Sequence, residues 1–275
     1  MLEATLLALG AAVLHAGWNL LLKASDERVL TAWGFYLVGG ILFLPLLPIV
    51  GVPGGSALPY VAISSCVHVI YILALSRAYH HGDFSLSYPL SRGGGALIAA
   101  IGGVAFLGDH LSTGAWIAIA VVVGGLASLV RPGASRVALL FAGLTAATIG
   151  TYSTLDAAGA RRSNGFGYAI VLVLLSAVVM SVVGTALGRG REFVPFLRRE
   201  WRRMLVGGAA STLAYSMVLA AARLAPLGYV ASLRESSVVL GAGAGWLLLH
   251  ERMGRARLIS AGVVAAGLIS LIAVR

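Results

Sequence analysis

The sequence predicts an all-α integral membrane protein, ten transmembrane helices arranged as two inverted five-helix repeats. Three observations lead there. Apolar runs near 20 residues, enough for helices to cross a ~30 Å hydrocarbon core, recur along the whole 275-residue chain. Only 11% of the residues are charged against 59% hydrophobic, where a soluble domain carries about 25% charge. One pattern also occurs twice: an arginine inside an apolar run, followed 17 residues later by an acid, in Tyr88–Asp109 (Arg92 to Asp109) and Tyr229–Glu251 (Arg234 to Glu251).

The spans fall at roughly 2–24, 30–50, 57–79, 84–107, 113–130, 136–158, 166–187, 203–224, 227–249 and 255–274. The first lacks the basic leading region of a signal peptide, with Glu3 its only early charge, so it reads as a retained helix. Its inner half holds His15, Trp18 and Asn19, and it ends at Lys23. The second is closed by GVPGGS at 51–56. The third carries the single cysteine, Cys66, with His68, Tyr71, Arg77 and Tyr79, and HHGD at 80–83 separates it from the fourth. One cysteine supports no disulfide framework. The fourth holds Tyr88, Pro89, Arg92 and the triple glycine 93–95, and the fifth ends at RPGAS, 131–135. Tyr152 and Ser153 lie in the sixth, with Asp156 near its outer end. The seventh runs into the one long connection, GRGREFVPFLRREWR at 188–202. The eighth carries Tyr215 and Arg223, the ninth Tyr229, Arg234 and Glu235, and the tenth closes the chain.

Five spans per half is an odd number, so a second half of the same topology must insert upside down, with a pseudo-two-fold axis in the membrane plane. The halves are 1–132 and 133–275, and Arg77 in the third span matches Arg223 in the eighth. Fourteen Lys and Arg residues fall in the odd-numbered loops and four on the opposite face. The positive-inside rule then places both termini outside the cytoplasm of a multi-pass protein in a bacterial-type inner (plasma) membrane. The net charge of +10 belongs to this topology signal, and no nucleic-acid partner is expected from it.

Arg92 lies 8 residues in from one end of its span and Arg234 lies 7 residues in from the opposite end of its own. At ~1.5 Å per residue each is ~11–12 Å deep from opposite faces. In a ~30 Å core that leaves them within ~10 Å of each other in depth. Neither faces lipid cheaply, so a shared polar cavity is the natural solution. Glu235 points about 100° away from its neighbour Arg234, placed to partner Arg92 or to carry a coupling proton. His68 and Asp156 are the other proton-coupling candidates. Tyr71, Tyr79, Tyr88, Tyr215 and Tyr229 offer hydrogen bonds and ring faces to a solute, and Trp18 and Asn19 complete the candidate site.

Plainer readings stand beside these. Arg92, Arg234 and Glu235 fit a structural ion network locking the fourth and ninth spans; His15 and His68 fit packing roles; Lys23 fits an interfacial snorkel; Asp156 fits an interfacial position. Trp33, Tyr36, Trp116 and Trp246 fit belt or packing aromatics. The triple glycine with Pro89 either loosens the fourth helix beside Arg92 or serves close packing. Enzyme signatures are missing: His250-Glu251 lacks a second histidine, and no phosphate loop, dinucleotide fingerprint or nucleophile elbow occurs. Neither an enzyme nor a cofactor or metal is expected.

His15-Ala16-Gly17-Trp18-Asn19 with Lys23, Arg77-Ala78-Tyr79 through Gly82-Asp83 to Tyr88-Pro89-Leu90 and Arg92, Leu107-Gly108-Asp109, and Ala225-Pro226-Leu227-Gly228-Tyr229 through Leu233-Arg234-Glu235 together resemble the drug/metabolite transporter superfamily, in particular its ten-helix EamA-type members. The resemblance covers essentially the whole chain. It implies an alternating-access carrier whose central cavity is built from both halves, notably the third, fourth, eighth and ninth helices. Val230 stands where the first half has Pro89, and Glu235-Ser236-Ser237 where it has the triple glycine, so an asymmetric cavity for an oriented solute is expected. Some similar proteins place their termini in the cytoplasm, against the charge count here.

The expected function is secondary active transport of a small polar metabolite, charged or zwitterionic, with proton-coupled export as the family-level lean. The alternative is a non-transporting membrane scaffold or receptor subunit. Expected partners are the solute and membrane lipid, with a homodimer left open.

Overall fold

A computed structural model of the chain describes residues 1–81, 84–128, 135–240 and 255–274, apart from the side chains of 23, 79, 81, 84–89 and 255–258. The described residues form helices and their connections, without a strand. In chain order the helices are α1 (Leu2–Lys23), α2 (Arg28–Phe43), α3 (Leu58–His81), α4 (Phe84–Leu107), α5 (Thr113–Ala127), α6 (Arg136–Arg161), α7 (Gly165–Ala186), α8 (Gly190–Arg199), α9 (Trp201–Leu224), α10 (Leu227–Arg234) and α11 (Arg255–Ala273). Pro45 and Pro48 lack the N–H that an α-helical ladder needs, so α2 tightens to a 3₁₀ turn at Leu44–Leu46 before a last helical turn to Val50. Among the described residues 7 helices are long and apolar enough to cross a membrane: α1, α2 with its extension, α3, α4, α6, α7 and α9. The protein is thus an all-helical, multi-pass membrane protein. α5 and the described part of α11 are apolar but shorter.

Two expectations change. The connection at 188–202 is largely a helix, α8. Its Phe193 and Phe196 are buried, and Phe193 stacks on Trp33 of α2 with ring centroids 3.8 Å apart. Its basic residues Arg198 and Arg199 lie in the last turn. This segment is too short and too charged to span, but one apolar face suffices to hold it in the interface. The helix break also falls elsewhere. α4 runs unbroken through the triple glycine, because those glycines admit a close neighbour: a Cβ on Gly94 would meet the Cβ of Ala146 of α6 at 2.9 Å. The interruption comes in the other half. α10 stops at Arg234, the Glu235 N–H turns back to the Ser232 carbonyl at 3.0 Å, and helix resumes over 236–240. The expected remainder of the ninth span, with Trp246 and Glu251, lies outside the described residues, as do Gly82 and Asp83.

The helix ends gather at two faces. At the first, Thr5 of α1 bonds the Tyr229 hydroxyl of α10 at 2.7 Å, and Arg162 at the end of α6 covers the Tyr60 ring of α3 at 4.8 Å. At the second, Glu27 between α1 and α2 pairs with Arg189 before α8 at 2.6 Å. Hydrogen bonds from Arg189 to Glu27 and then Glu192 hold its guanidinium above its ordinary pKa. Between the faces α1 lies along α9, α3 along α6 and α7, α2 along α7 and α9, α4 along α6 and α10, and α5 along α11.

Small residues make these approaches. Ala4, Ala8 and Ala11 of α1 are buried together with Val218 and Ala221 of α9. In hydrocarbon, where apolar burial between helices gains little, such contact is the main source of stability. Many large apolar side chains point outward: Leu6, Val13, Ile41, Ile63, Ile70, Phe106, Ile117, Val178 and Val182 are all exposed, the arrangement a lipid surrounding requires. A close backbone crossing is that of α2 on α9, where a Cβ on Gly208 would lie 2.8 Å from the Gly39 nitrogen and 3.0 Å from the Phe35 oxygen. Gly17, by contrast, has nothing within 4 Å of a Cβ. Gly208→Val therefore destabilises the protein by ~1–3 kcal/mol or more, read as a lowered thermal midpoint in detergent. Gly17→Ala leaves the midpoint unchanged or raises it, since alanine favours helix over glycine by ~1 kcal/mol.

Candidate functional site

The charged residues deep in the bundle meet where α10 breaks. Arg92 of α4 donates from Nε to Glu235 Oε2 at 3.1 Å and from NH2 to Oε1 at 2.8 Å. Both residues are only 3% exposed. This two-pronged pair satisfies both carboxylate oxygens with a matched planar fork, and it couples the break in one half to the unbroken helix of the other.

Arg234, one residue earlier, turns away from that pair and is 5% exposed. No carboxylate lies within ion-pair distance of it among the described residues, and its Nε has no hydrogen-bond partner. Tyr152 reaches its side chain, and its guanidinium carbon sits 5.9 Å from the centre of the Tyr215 ring. The guanidinium lines a cavity of about 80 Å³ enclosed by α1, α2, α3, α6, α7, α9 and α10, space for several waters or one small solute. His15, Trp18, Tyr36, Tyr71, Tyr152 and Tyr215 give its walls their aromatic character. Three buried polar atoms without partners fall on this one cavity: Arg234 Nε, His15 Nε2 and Ser176 Oγ. Buried polar groups are seldom left so, and a cavity that gathers them is built for a polar occupant.

A second polar cluster lies behind the cavity wall. Asp156 of α6 is fully buried and accepts hydrogen bonds from Tyr168 at 2.9 Å and from Tyr215. His68 stacks on Tyr152 with centroids 4.1 Å apart. Its Nδ1 donates to the Ser64 carbonyl at 3.0 Å, which leaves Nε2 facing Asp156 at 3.9 Å. Tyr215 is the shared element, its hydroxyl on Asp156 and its ring under Arg234.

The candidates from sequence therefore divide. His15, Trp18, His68, Tyr71, Tyr215 and Arg234 line the cavity. Arg92 and Glu235 hold each other beside it. Tyr229 is committed to Thr5, and Asn19 donates to the carbonyl of His15 on its own helix at 3.1 Å. The side chains of Tyr79, Tyr88 and Lys23 lie outside the described residues. Tyr36, read from sequence as a belt or packing aromatic, is a cavity wall, and so is Tyr152. Ser176 carries no sequence signal, being one small polar residue in an apolar span.

The first face holds a further ion pair. Gly108 adopts φ +69°, a turn only glycine makes without strain, and this turn sets Asp109 over the ends of α6 and α9. Arg161 meets Asp109 Oδ1 at 2.8 Å and Oδ2 at 3.1 Å and donates from Nε to the Ala222 carbonyl at 2.9 Å. Asp109 Oδ2 also accepts the Leu227 N–H at 2.7 Å, capping α10 from another helix. Leu107-Gly108-Asp109 is thus a clasp over four helix ends.

No family model matches the sequence, and no curated protein does. Among solved structures, a crystal structure of a protein aligns with a TM-score of 0.76 and 15% identity, over 98% of this chain and 98% of its own. At that identity the likeness shows a shared fold and carries nothing about activity.

Removing one member of the buried pair is costly because the other charge stays behind. Arg92→Met is expected to destabilise by ~3–5 kcal/mol, whereas Arg92→Met with Glu235→Met regains most of the loss. Chemical unfolding in mixed micelles measures both variants in a double-mutant cycle.

Proposed function

We propose that this protein is a secondary transporter that carries a small charged organic solute across a membrane by alternating access. The observation that carries the reading is the buried guanidinium of Arg234, unmatched by a carboxylate among the described residues, on an aromatic-lined cavity inside the helix bundle. Ionisable groups held within a membrane mark solute and ion paths.

The architecture behind this reading is ten spans in two inverted repeats, 1–132 and 133–275, with α1 to α5 as the first and α6, α7, α9, the span begun by α10, and α11 as the second. Helix packing supports it. Exchanging the halves turns α1 on α9 into α6 on α3, and α2 on α9 into α7 on α3; α2 on α7, α4 on α10 and α5 on α11 map onto themselves. The resemblance to ten-helix drug/metabolite transporters points the same way. By the positive-inside rule the first face, with the N-terminus, lies outside, and the second, with Arg189, Arg191, Arg198 and Arg199, lies in the cytoplasm of a bacterial-type inner membrane. The Asp109–Arg161 clasp then closes the outer face, while the cavity extends towards the inner one through Trp18, Leu22 and Ala32. That is the inward-facing form of an alternating-access cycle.

Proton coupling falls to Asp156 in this reading. Glu235 is held by Arg92, so a proton there breaks a buried pair. Asp156 faces neutral hydroxyls, from Ser64, Tyr168 and Tyr215, and the His68 ring, with Arg234 a cation on the other side of Tyr215. A scaffold or receptor role leaves the unmatched guanidinium and the cavity without use.

Two measurements test this. In proteoliposomes Arg234→Gln abolishes solute flux while the protein stays monodisperse, and Asp156→Asn removes the pH dependence of flux; normal flux in the first or an unchanged pH profile in the second sinks the corresponding part. Reporter fusions at the C-terminus read out outside the cytoplasm; a cytoplasmic signal reverses the assigned faces.

A further inference from the structure

We infer that the cavity selects a monoanion with a flat apolar body, such as an aromatic carboxylate, and discriminates against zwitterions and cations. The inference rests on the transport reading for its purpose, but on the cavity alone for its chemistry. It narrows the charged or zwitterionic class expected from sequence.

The charge census decides the headgroup. One guanidinium, Arg234, lines the cavity without a matched carboxylate. Two carboxylates lie near, and both are spoken for. Glu235 receives both prongs of Arg92 at 2.8 and 3.1 Å. Asp156 accepts from two tyrosine hydroxyls and stands behind the Tyr215 ring, off the cavity lining. A carboxylate entering the cavity gains a charge-assisted bond to Arg234, whose Nε has no partner and whose charge meets no carboxylate among the described residues. An ammonium group finds no free carboxylate among the described residues and must displace Arg92 from Glu235 or the hydroxyls that hold Asp156. A zwitterion gains at one end and loses at the other, because its cation stays desolvated and unpaired.

The walls decide the body. Trp18, Phe35, Tyr36, Tyr71 and Tyr152 present rings around the space, and Leu22, Ile72 and Val173 fill the gaps. The remaining orphan donors or acceptors, His15 Nε2 and Ser176 Oγ, suit one or two neutral polar substituents rather than a second charge. A small hydrophilic anion such as acetate satisfies Arg234 but leaves these ring faces against water, so the body contributes to affinity.

Thermal unfolding and isothermal titration of the purified full-length protein, with benzoate, benzenesulfonate, phenylalanine, benzylamine and acetate as probes, test this. Benzoate and benzenesulfonate raise the unfolding midpoint and bind at least roughly tenfold more tightly than the other three, tenfold being the effect of one modest polar contact. Arg234→Gln weakens benzoate roughly 10- to 100-fold. Phenylalanine or benzylamine binding as well as benzoate overturns the inference, as does acetate matching benzoate. So does a cavity that holds only water and responds to none of the five, or benzoate affinity unchanged in Arg234→Gln. Should that variant fail to fold, the ligand order on the unaltered protein decides alone. Benzenesulfonate, which stays ionised and does not leak through lipid, separates this from the transport reading. Binding without flux in proteoliposomes supports the ligand class and removes transport; phenylalanine flux with no preference for anions does the reverse.

Discussion

A guanidinium or carboxylate in hydrocarbon must be paired, moved to an aqueous face or given a polar cavity, and the centre of this molecule uses the first and third solutions side by side. Arg92 and Glu235 take the first. Their two parallel hydrogen bonds tie the unbroken α4 to the point where α10 stops. Arg234 takes the third. Because it is the residue immediately before Glu235, the turn that aims one side chain at α4 aims the other away from it, into the cavity. The break in α10, the pair and the open cation are one arrangement rather than three features.

That arrangement explains the difference between α4 and α10. A helix broken beside charged groups exposes backbone that must find partners, and Glu235 supplies the cap by turning its N–H to Ser232. In α4 the residues after Arg92 are glycines, and they bring α4 against α6 close enough that added side chains would collide with Ala146 and Ile149. α4 is therefore tightly seated and unbroken, and the helix at Glu235 is jointed.

The membrane class and seven long apolar helices were legible because lipid demands such helices, which composition cannot disguise. The burial of Arg92 and Arg234 inside the bundle was legible for the same reason, since neither faces lipid cheaply. Their partners were not. Whether Arg92 faces a cavity or Glu235 depends on helix rotation, which a span of mean hydrophobic character does not report. Tyr229 and Tyr215 look alike in sequence, yet one is committed to Thr5 and the other joins Arg234 to Asp156. Ser176 and the helix α8 were missed for a different reason: one small hydroxyl, or ten amphipathic residues, changes local hydropathy too little to stand out.

The clasp at Asp109 connects the helix ends to the helices that line the cavity. Asp109 binds Arg161 of α6 and caps α10 at Leu227, and α10 carries Arg234 seven residues on, about two helical turns away. α6 carries Asp156 and Tyr152, about one and a half and two and a half turns below Arg161. The two helices that the clasp joins thus supply the open cation, the tyrosine that reaches it and the buried carboxylate.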